Sequence, residues 1–288
     1  RLVMPYHDMR IVSLTGRPWH DFDRALIERA SKIGILTDHV HTPATIAQRM
    51  TDYGFNGYDM YVGEHLGNPT LEKVTRLTIN NACATTFSSP NCVILHNPTG
   101  HLTTPCQSYF GIPDEEFELL NGRERMITKM PIRLLSLQTL DLPRKKVLWD
   151  IGFCTGSISI EAKLLFPHLH VVSFEIRPEG AELMSKNSTR FGTPGIDVHI
   201  GDFLTTDISA LPHPDAVFIG GHGGRLFEII KKILSILTEN GCIVMNSVSD
   251  DSKKLFTDAC NAFHLKQEPP LRIALNDYNP IEILKCKR

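Results

Sequence analysis

Residues 146–161, K-V-L-W-D-I-G-F-C-T-G-S-I-S-I-E, constrain the fold of this chain more than any other stretch. Three apolar residues, Val147, Leu148 and Trp149, run into the acid Asp150. A loop of Gly152, Phe153, Cys154, Thr155 and Gly156 follows, after which Ile158, Ile160, Ala162, Leu164 and Leu165 give a helical pattern. Strand, glycine turn and helix in that order make a nucleotide-binding βα unit. Glycine reaches positive φ, the ligand can approach bare backbone, and the helix N-terminus offers free N–H groups.

The pattern continues downstream. Strands are expected at 171–174, ending in Glu175, and at 196–200, closing with Gly201 and Asp202. Two more are expected at 216–219, followed by G-G-H-G-G at 220–224, and at 242–245. Helical spacing separates them at 177–191, 226–237 and 251–263. A helix within 126–140, with Thr128 as its cap ahead of Pro131, precedes the first strand. Segments 271–275 and 281–284, joined through N-D-Y-N-P, read as a terminal antiparallel hairpin. Five strands alternating with helices, then a hairpin, predict an α/β fold. The pattern fits a doubly wound, mostly parallel sheet of the class I (Rossmann-like) methyltransferase type.

The acids discriminate between ligands. In a doubly wound sheet the ligand lies outside the carboxyl ends of the strands, and an acid about 20 residues past the glycine loop binds ribose hydroxyls. Glu175 stands at that place, Asp202 is placed to approach an adenine, and Asp150 lies where a methionine amine would sit. A dinucleotide would need G-x-G-x-x-G to cradle its pyrophosphate, and D-I-G-F-C-T-G does not spell it. S-adenosylmethionine has no phosphate and carries two cationic centres, so an acid-rich rim selects it.

Residues 1–97 form a second α/β pattern, with strands expected at 9–14, 33–36, 58–62 and 92–95 and helices at 21–30, 44–50 and 71–87. Thr42 can cap the second helix and Pro43 can open it. No glycine-rich phosphate loop occurs in this half. Turn formers without periodicity fill 98–112, with prolines at 98 and 105, so a linker is expected there and a second domain at 113–288.

A formal net charge of −2 gives no bulk attraction to nucleic acid or to an anionic membrane surface. No apolar run approaches the roughly 20 residues of a membrane-spanning helix. Seven cysteines without a C-x-x-C pair fit free thiols in a reducing cytoplasm. The pairs His39/His41 and His168/His170 lack further ligands beside them, so no metal site is expected. The first residue is Arg1, so the chain is expected to start within a larger fold.

Three stretches of the first half, V-S-L-T-G-R-P-W (12–19), G-I-L-T-D (34–38) with H-T-P-A-T-I-A (41–47), and Y-V-G-E-H-L-G (61–67), resemble the second lobe of tetrapyrrole methylases acting on precorrins at carbon 5. The resemblance places that fold's early glycine loop before Arg1, so carbon-5 methylation is expected only if the missing lobe is supplied. G-I-P-D-E-E-F (111–117), T-K-x-x-I-R (128–133), W-D-I-G-x-x-T-G-S-x-S-I-E-A (149–162) and F-I-G-G-x-G-G-R-L (218–226) resemble the decarboxylating precorrin methylases acting at carbon 15. A carbon-5 lobe ahead of a carbon-15 domain is the order of the fused, decarboxylating C5,15-methyltransferases of cobalamin biosynthesis.

That resemblance implies S-adenosylmethionine contacts at Thr128, the loop 152–156, Glu175 and the backbone at Phe203. It also implies a homo-oligomer acting on a precorrin, with no nucleic acid or membrane partner. The loop departs from the family pattern at Cys154, where a glycine is usual, and at His222, where a small residue is usual. Cys154 reads as a tolerated small side chain rather than a reactive thiol. A polycarboxylate substrate calls for basic residues, and Arg225, Lys129 and Arg133 are the candidates, with His222 for a proton role. The alternatives are a class I tRNA adenine methyltransferase and a non-catalytic assembly module. The low charge argues against the first.

Overall fold

The structure is a computed structural model and describes residues 2–97, 110–123, 126–275 and 279–288. The stretch expected as a linker, 98–112, lies outside the described residues as far as position 109, as do residues 276–278 of the N-D-Y-N-P turn. The chain divides into two compact units, Arg1–Gln107 with Ser188–Gly195, and Ser108–Asn187 with Ile196–Arg288.

The first unit carries β1 (Arg10–Ser13), α1 (His20–Ile27), β2 (Lys32–Leu36), α2 (Pro43–Asp52), β3 (Asp59–Glu64), β4 (Lys73–Thr78), α3 (Ile79–Cys83) and β5 (Asn91–His96). Its sheet runs β1-β2-β5-β3-β4, with β1 and β2 parallel and the remaining pairs antiparallel. Phe22 and Leu26 of α1, Ile46 and Met50 of α2, and strand residues Ile33, Ile35, Met60 and Leu95 form its core. Thr42 caps α2 as expected, accepting from Thr45 N–H at 3.2 Å, with Pro43 in the first turn.

The helix expected over 71–87 is not there. K-V-T-R-L-T instead forms β4, paired antiparallel along the whole of β3, and only Ile79–Cys83 is helical. β-branched Val74, Thr75 and Thr78 suit a pleated edge strand, and Thr78 both ends it and caps α3 by accepting from Asn81 N–H.

In the second unit α4 (Met130–Thr139) precedes β6 (Val147–Ile151), α5 (Ser157–Leu165), β7 (His170–Glu175), α6 (Glu179–Phe191), whose residues from Ser188 on are grouped with the first unit, and β8 (Ile196–Ile200). Then come β9 (Ala216–Ile219), α7 (Leu226–Leu234), β10 (Cys242–Ser247), α8 (Asp250–Ala262), β11 (Lys266–Gln267), β12 (Leu271–Ile273) and β13 (Ile281–Lys287). The sheet order is β11-β13-β10-β9-β6-β7-β8, with β12 on β13. β10, β9, β6, β7 and β8 are mutually parallel, and β13 runs antiparallel to β10, β11 and β12.

The strands read as near-continuous apolar runs because both faces of the sheet are covered. Trp149, Ile151, Val217, Ile219 and Met245 face α7 and α8, while Leu148, Ala216, Phe218 and Val244 face α4 and α5. This is the expected doubly wound, mostly parallel sheet with its terminal antiparallel hairpin. Thr128 does not cap α4. The N-cap is Lys129, with no side-chain cap bond, and Pro131 fixes the first turn. Among the described residues no helix is long and apolar enough to cross a membrane.

Candidate functional site

Strand order reverses between β6 and β9: β7 and β8 lie to one side of β6, β9 and β10 to the other. At such a switch point the loops leaving the two central strands diverge and open a crevice at the carboxyl ends of the strands. A cleft of about 880 Å³ opens there. The loops after β6 and β9 form its floor. Gly152 N–H donates to Phe174 O and Gly220 N–H to Ile151 O, both at 2.8 Å, so each loop continues the ladder by one bond.

The two loops meet backbone to backbone. A Cβ on Gly152, whose φ is +76°, would lie 2.8 Å from Gly221 N. One on Gly220 would lie 2.8 Å from Gly152 O, so neither position has room for a side chain. Cys154 sits between the glycines in the left-handed region, at φ +51°. Burial, reinforced by the negative charge of Glu175, pushes its thiol up to about 11, so it stays protonated and unreactive near neutrality.

Two acids stand on the rim. The Glu175 carboxylate is buried and fixed, with Oε2 accepting from Cys154 N–H at 2.9 Å and Oε1 from Arg177 N–H at 3.0 Å and Arg177 Nη1 at 3.1 Å. Asp202 accepts at Oδ1 from Leu204 N–H and at Oδ2 from Arg225 Nη1, at 2.9 and 2.7 Å. The Leu204 N–H first, then Arg225, hold its carboxyl below the ordinary carboxylate range. Arg225 thus reaches across from the β9 loop to the β8 loop while half exposed.

Opposite these acids the cleft is lined by Thr128 and Lys129, by the 220–223 loop with His222, and by Asn246 and Ser252. His222 Nδ1 accepts from Gly224 N–H at 3.1 Å. That bond selects the tautomer with its proton on Nε2, 3.4 Å from Ser252 Oγ. Burial lowers its pKa, so the ring is neutral near pH 7 and offers Nε2–H as a donor.

Thr128, Lys129, Gly152, Cys154, Glu175, Asp202, Phe203, His222 and Arg225 are brought together on this one cleft. The other sequence candidates lie behind it. Asp150 is buried beneath the loop, its Oδ2 accepting from Ser159 Oγ at 2.5 Å and its Oδ1 without a partner among the described residues. Burial, with the Glu175 charge adding, pushes its carboxyl up to about 7. Phe153, Thr155 and Gly156 shape the turn instead of lining the cleft. Gly156 N–H donates to Phe153 O, and Thr155 O accepts from Asn187 Nδ2, both at 2.9 Å.

Arg133 is a correction. It was expected near substrate carboxylates, but its guanidinium is completely buried and committed to the protein. It pairs with Glu161 and donates to Ile112 O, to Thr128 O at 2.7 Å and to Asp114 at 3.1 Å, while lying over the Phe117 ring. Four of its five N–H donors are taken by the protein, and the buried group does not line the cleft. The sequence reading missed Arg177, Asn246 and Ser252. The rule that found Glu175, that ligands meet the carboxyl ends of parallel strands, also finds Asn246 near the end of β10. Ser252 has no such signal, because it reaches the cleft from the first turn of α8.

Residues 121–281, more than half of the chain, match the model of the precorrin methyltransferase domain. The chain belongs to the precorrin methyltransferase family. Among its family relatives is a precorrin-6Y C(5,15)-methyltransferase (decarboxylating) from Sinorhizobium sp, 30% identical over 259 residues. That match takes in 90% of this chain and 60% of the relative, so the chain spans less than two thirds of that protein. A cobalt-precorrin-6B C(15)-methyltransferase (decarboxylating) from Salmonella typhimurium is 37% identical over 139 residues, 48% of this chain and 70% of that one. The crystal structure of a precorrin-6Y C5,15-methyltransferase from Geobacter metallireducens superposes with a TM-score of 0.57 at 30% identity, covering 63% of this chain and 98% of that one.

Proposed function

We propose that this precorrin methyltransferase uses S-adenosylmethionine to methylate a precorrin-type tetrapyrrole at carbon 15, with loss of carbon dioxide from an acetate side chain, in cobalamin biosynthesis. We read the first unit as the second lobe of a carbon-5 methylase, an activity that requires both lobes of that fold. The observation that carries the reading is the pair of acids, Glu175 and Asp202, at successive strand ends on a switch-point cleft inside the family-matched segment.

The residues fit the cofactor. Glu175 is anchored by three N–H donors yet lines the cleft, which suits a carboxylate that accepts from ribose hydroxyls. The Phe203 N–H has no hydrogen-bond partner among the described residues, so it is available to an acceptor nitrogen of an adenine. Asp202 beside it can accept from the exocyclic amine. Bound there, the cofactor supplies an electrophilic methyl group on a sulfonium. Everything else falls to the chain.

Glycines 220, 221, 223 and 224 let a flat macrocycle lie against backbone. Arg225 and Lys129 receive carboxylates, Arg225 by exchanging Asp202 for a substrate oxygen. His222 Nε2–H donates a hydrogen bond to the macrocycle or its side chains and is not poised as a base at Nδ1. Charge is lost in transfer from a sulfonium, so orientation supplies much of the rate. The six cysteines among the described residues are free thiols, which supports a cytoplasmic setting.

Incubation with methyl-labelled S-adenosylmethionine and precorrin-6B, followed by mass spectrometry, is expected to give one methyl gained and one carbon dioxide lost. Methyl transfer to tRNA instead would overturn the reading. Arg225→Ala is expected to raise KM for the tetrapyrrole about tenfold or more, with a smaller rise for His222→Ala. If both variants keep the parent KM and kcat, the carboxylate clamp is wrong.

A further inference from the structure

The loop after β8, residues 201–206, carries Asp202, Phe203 and Leu204 into the cleft but has no regular structure of its own. One side chain outside the cleft organises it. Lys232, in the last turn of α7, extends its ammonium under the loop and donates to Phe203 O at 2.7 Å, Leu204 O at 3.1 Å and Thr206 O at 2.5 Å. The same ammonium lies 5.1 Å from the centroid of the Phe203 ring. An ammonium has three donors and no acceptor, and here three carbonyls take them.

Four of the loop amides are also assigned, Gly201 N–H going to Glu175 O. Leu204 N–H goes to Asp202 Oδ1, and Thr205 and Thr206 N–H both go to Asp202 O. With the carbonyls drawn toward Lys232, the amides left over are Asp202 N–H and Phe203 N–H, both on residues that line the cleft. The ring of Phe203 packs against Phe174 and Trp149, with centroids at 5.0 and 6.2 Å, which anchors the loop on the core. α7 is held in turn by the buried stripe Leu226, Ile229, Ile230 and Ile233.

We infer that Lys232 is a positioning residue that preforms the 201–206 loop and so sets both affinity and selectivity for the adenine end of the cofactor. This rests on the S-adenosylmethionine reading above. Lys232 touches neither the cofactor nor the substrate. Its effect reaches the ligand through the directions of the Phe203 N–H and the Asp202 carboxylate.

The test is calorimetry on the full chain with S-adenosylhomocysteine and with its inosine analogue, which replaces the 6-amino donor by an acceptor. The parent is expected to bind the adenine form and to discriminate against the inosine form. Lys232→Met, which keeps length and removes the charge and donors, is expected to weaken the adenine form at least ~10-fold and to compress the discrimination. Its kcat at saturating cofactor should change far less than its KM for cofactor. Lys232→Arg should recover part of the loss. Failure of the parent to bind S-adenosylhomocysteine overturns the cofactor reading itself. A parent that binds, beside a folded Lys232→Met of equal affinity and equal discrimination, overturns only the role of Lys232.

Hydrogen exchange on the parent gives an arm that does not depend on any variant folding. The 204–206 amides are expected to be protected without ligand and to gain little on binding. Free exchange that becomes protected only with cofactor would show a loop ordered by the ligand, and the inference would fail.

Discussion

Cys154 and Asp150 show how far single residues carry the site. A Cβ in the left-handed region costs roughly 1–2 kcal/mol relative to a residue without one, and Cys154 sits there at φ +51°. Cys154→Gly is therefore expected to stabilise the fold, by about 1 kcal/mol after allowing for the greater freedom of glycine in the unfolded chain, as measured by urea unfolding. A thiol-specific reagent should label Cys154 slowly at neutral pH, because the group stays protonated. Asp150 has the opposite consequence. Its folded carboxyl titrates at about 7 against 3.8 for the ordinary group, so the folded state holds the proton more tightly than the unfolded chain. Its contribution is full below about pH 4, is lost as pH rises to about 7, and is flat above that, a swing on the order of 4 kcal/mol. Asp150→Asn should flatten that part of the stability profile and unfold at higher urea than the parent above about pH 7. Parallel profiles for the two proteins would show that burial of Asp150 is not their source.

At the scale of elements, the floor of the cleft is a contact between two loops and the wall beside Lys129 is held by one buried ion pair. Gly152→Ala would drive a methyl group against the Gly221 backbone. It is expected to weaken cofactor binding more than tenfold and to lower Tm, both readable on the same sample by calorimetry and melting. Arg133 ties α4 to Glu161 of α5 and to Ile112 and Asp114 of the preceding segment. Arg133→Met leaves the Glu161 carboxylate buried without its cation, a loss expected at about 3–5 kcal/mol in urea unfolding, and removes the donor that holds Thr128 O. The double change Arg133→Met with Glu161→Gln should recover part of it. Some elements could be read directly: Thr42 and Pro43 are a local start signal and do in the structure what they do in the sequence. The 71–87 stretch could not, because its strand exists through pairing with β3 along its whole length. Arg133 could not for a related reason. Its burial depends on where a carboxylate 28 residues away ends up.

At the scale of the whole molecule, the chain divides into two compact units, and the family match lies over residues 121–281. If the proposed carbon-15 chemistry belongs to the C-terminal part of the chain, residues 108–288 alone should bind S-adenosylhomocysteine within about threefold of the full chain. A much larger loss by calorimetry would make the first unit part of the cofactor site. The same shorter chain should methylate and decarboxylate at carbon 15 while giving no carbon-5 product, which mass spectrometry separates by position.

The sequence by itself determined the strand, loop and helix of 146–161, the order of the parallel strands with their terminal acids, and the glycines that follow β9. Each of these rests on periodicity or on the φ requirement of one residue, both of which are local. Only the tertiary structure decided which charged groups face the cleft. It turned Arg133 inward, joined Arg225 to Asp202, placed Asp150 beneath its own loop and put Lys232 under three carbonyls. A charged side chain settles where its unlike charge or its hydrogen-bond acceptors converge, and that convergence exists only once strands distant in sequence lie side by side.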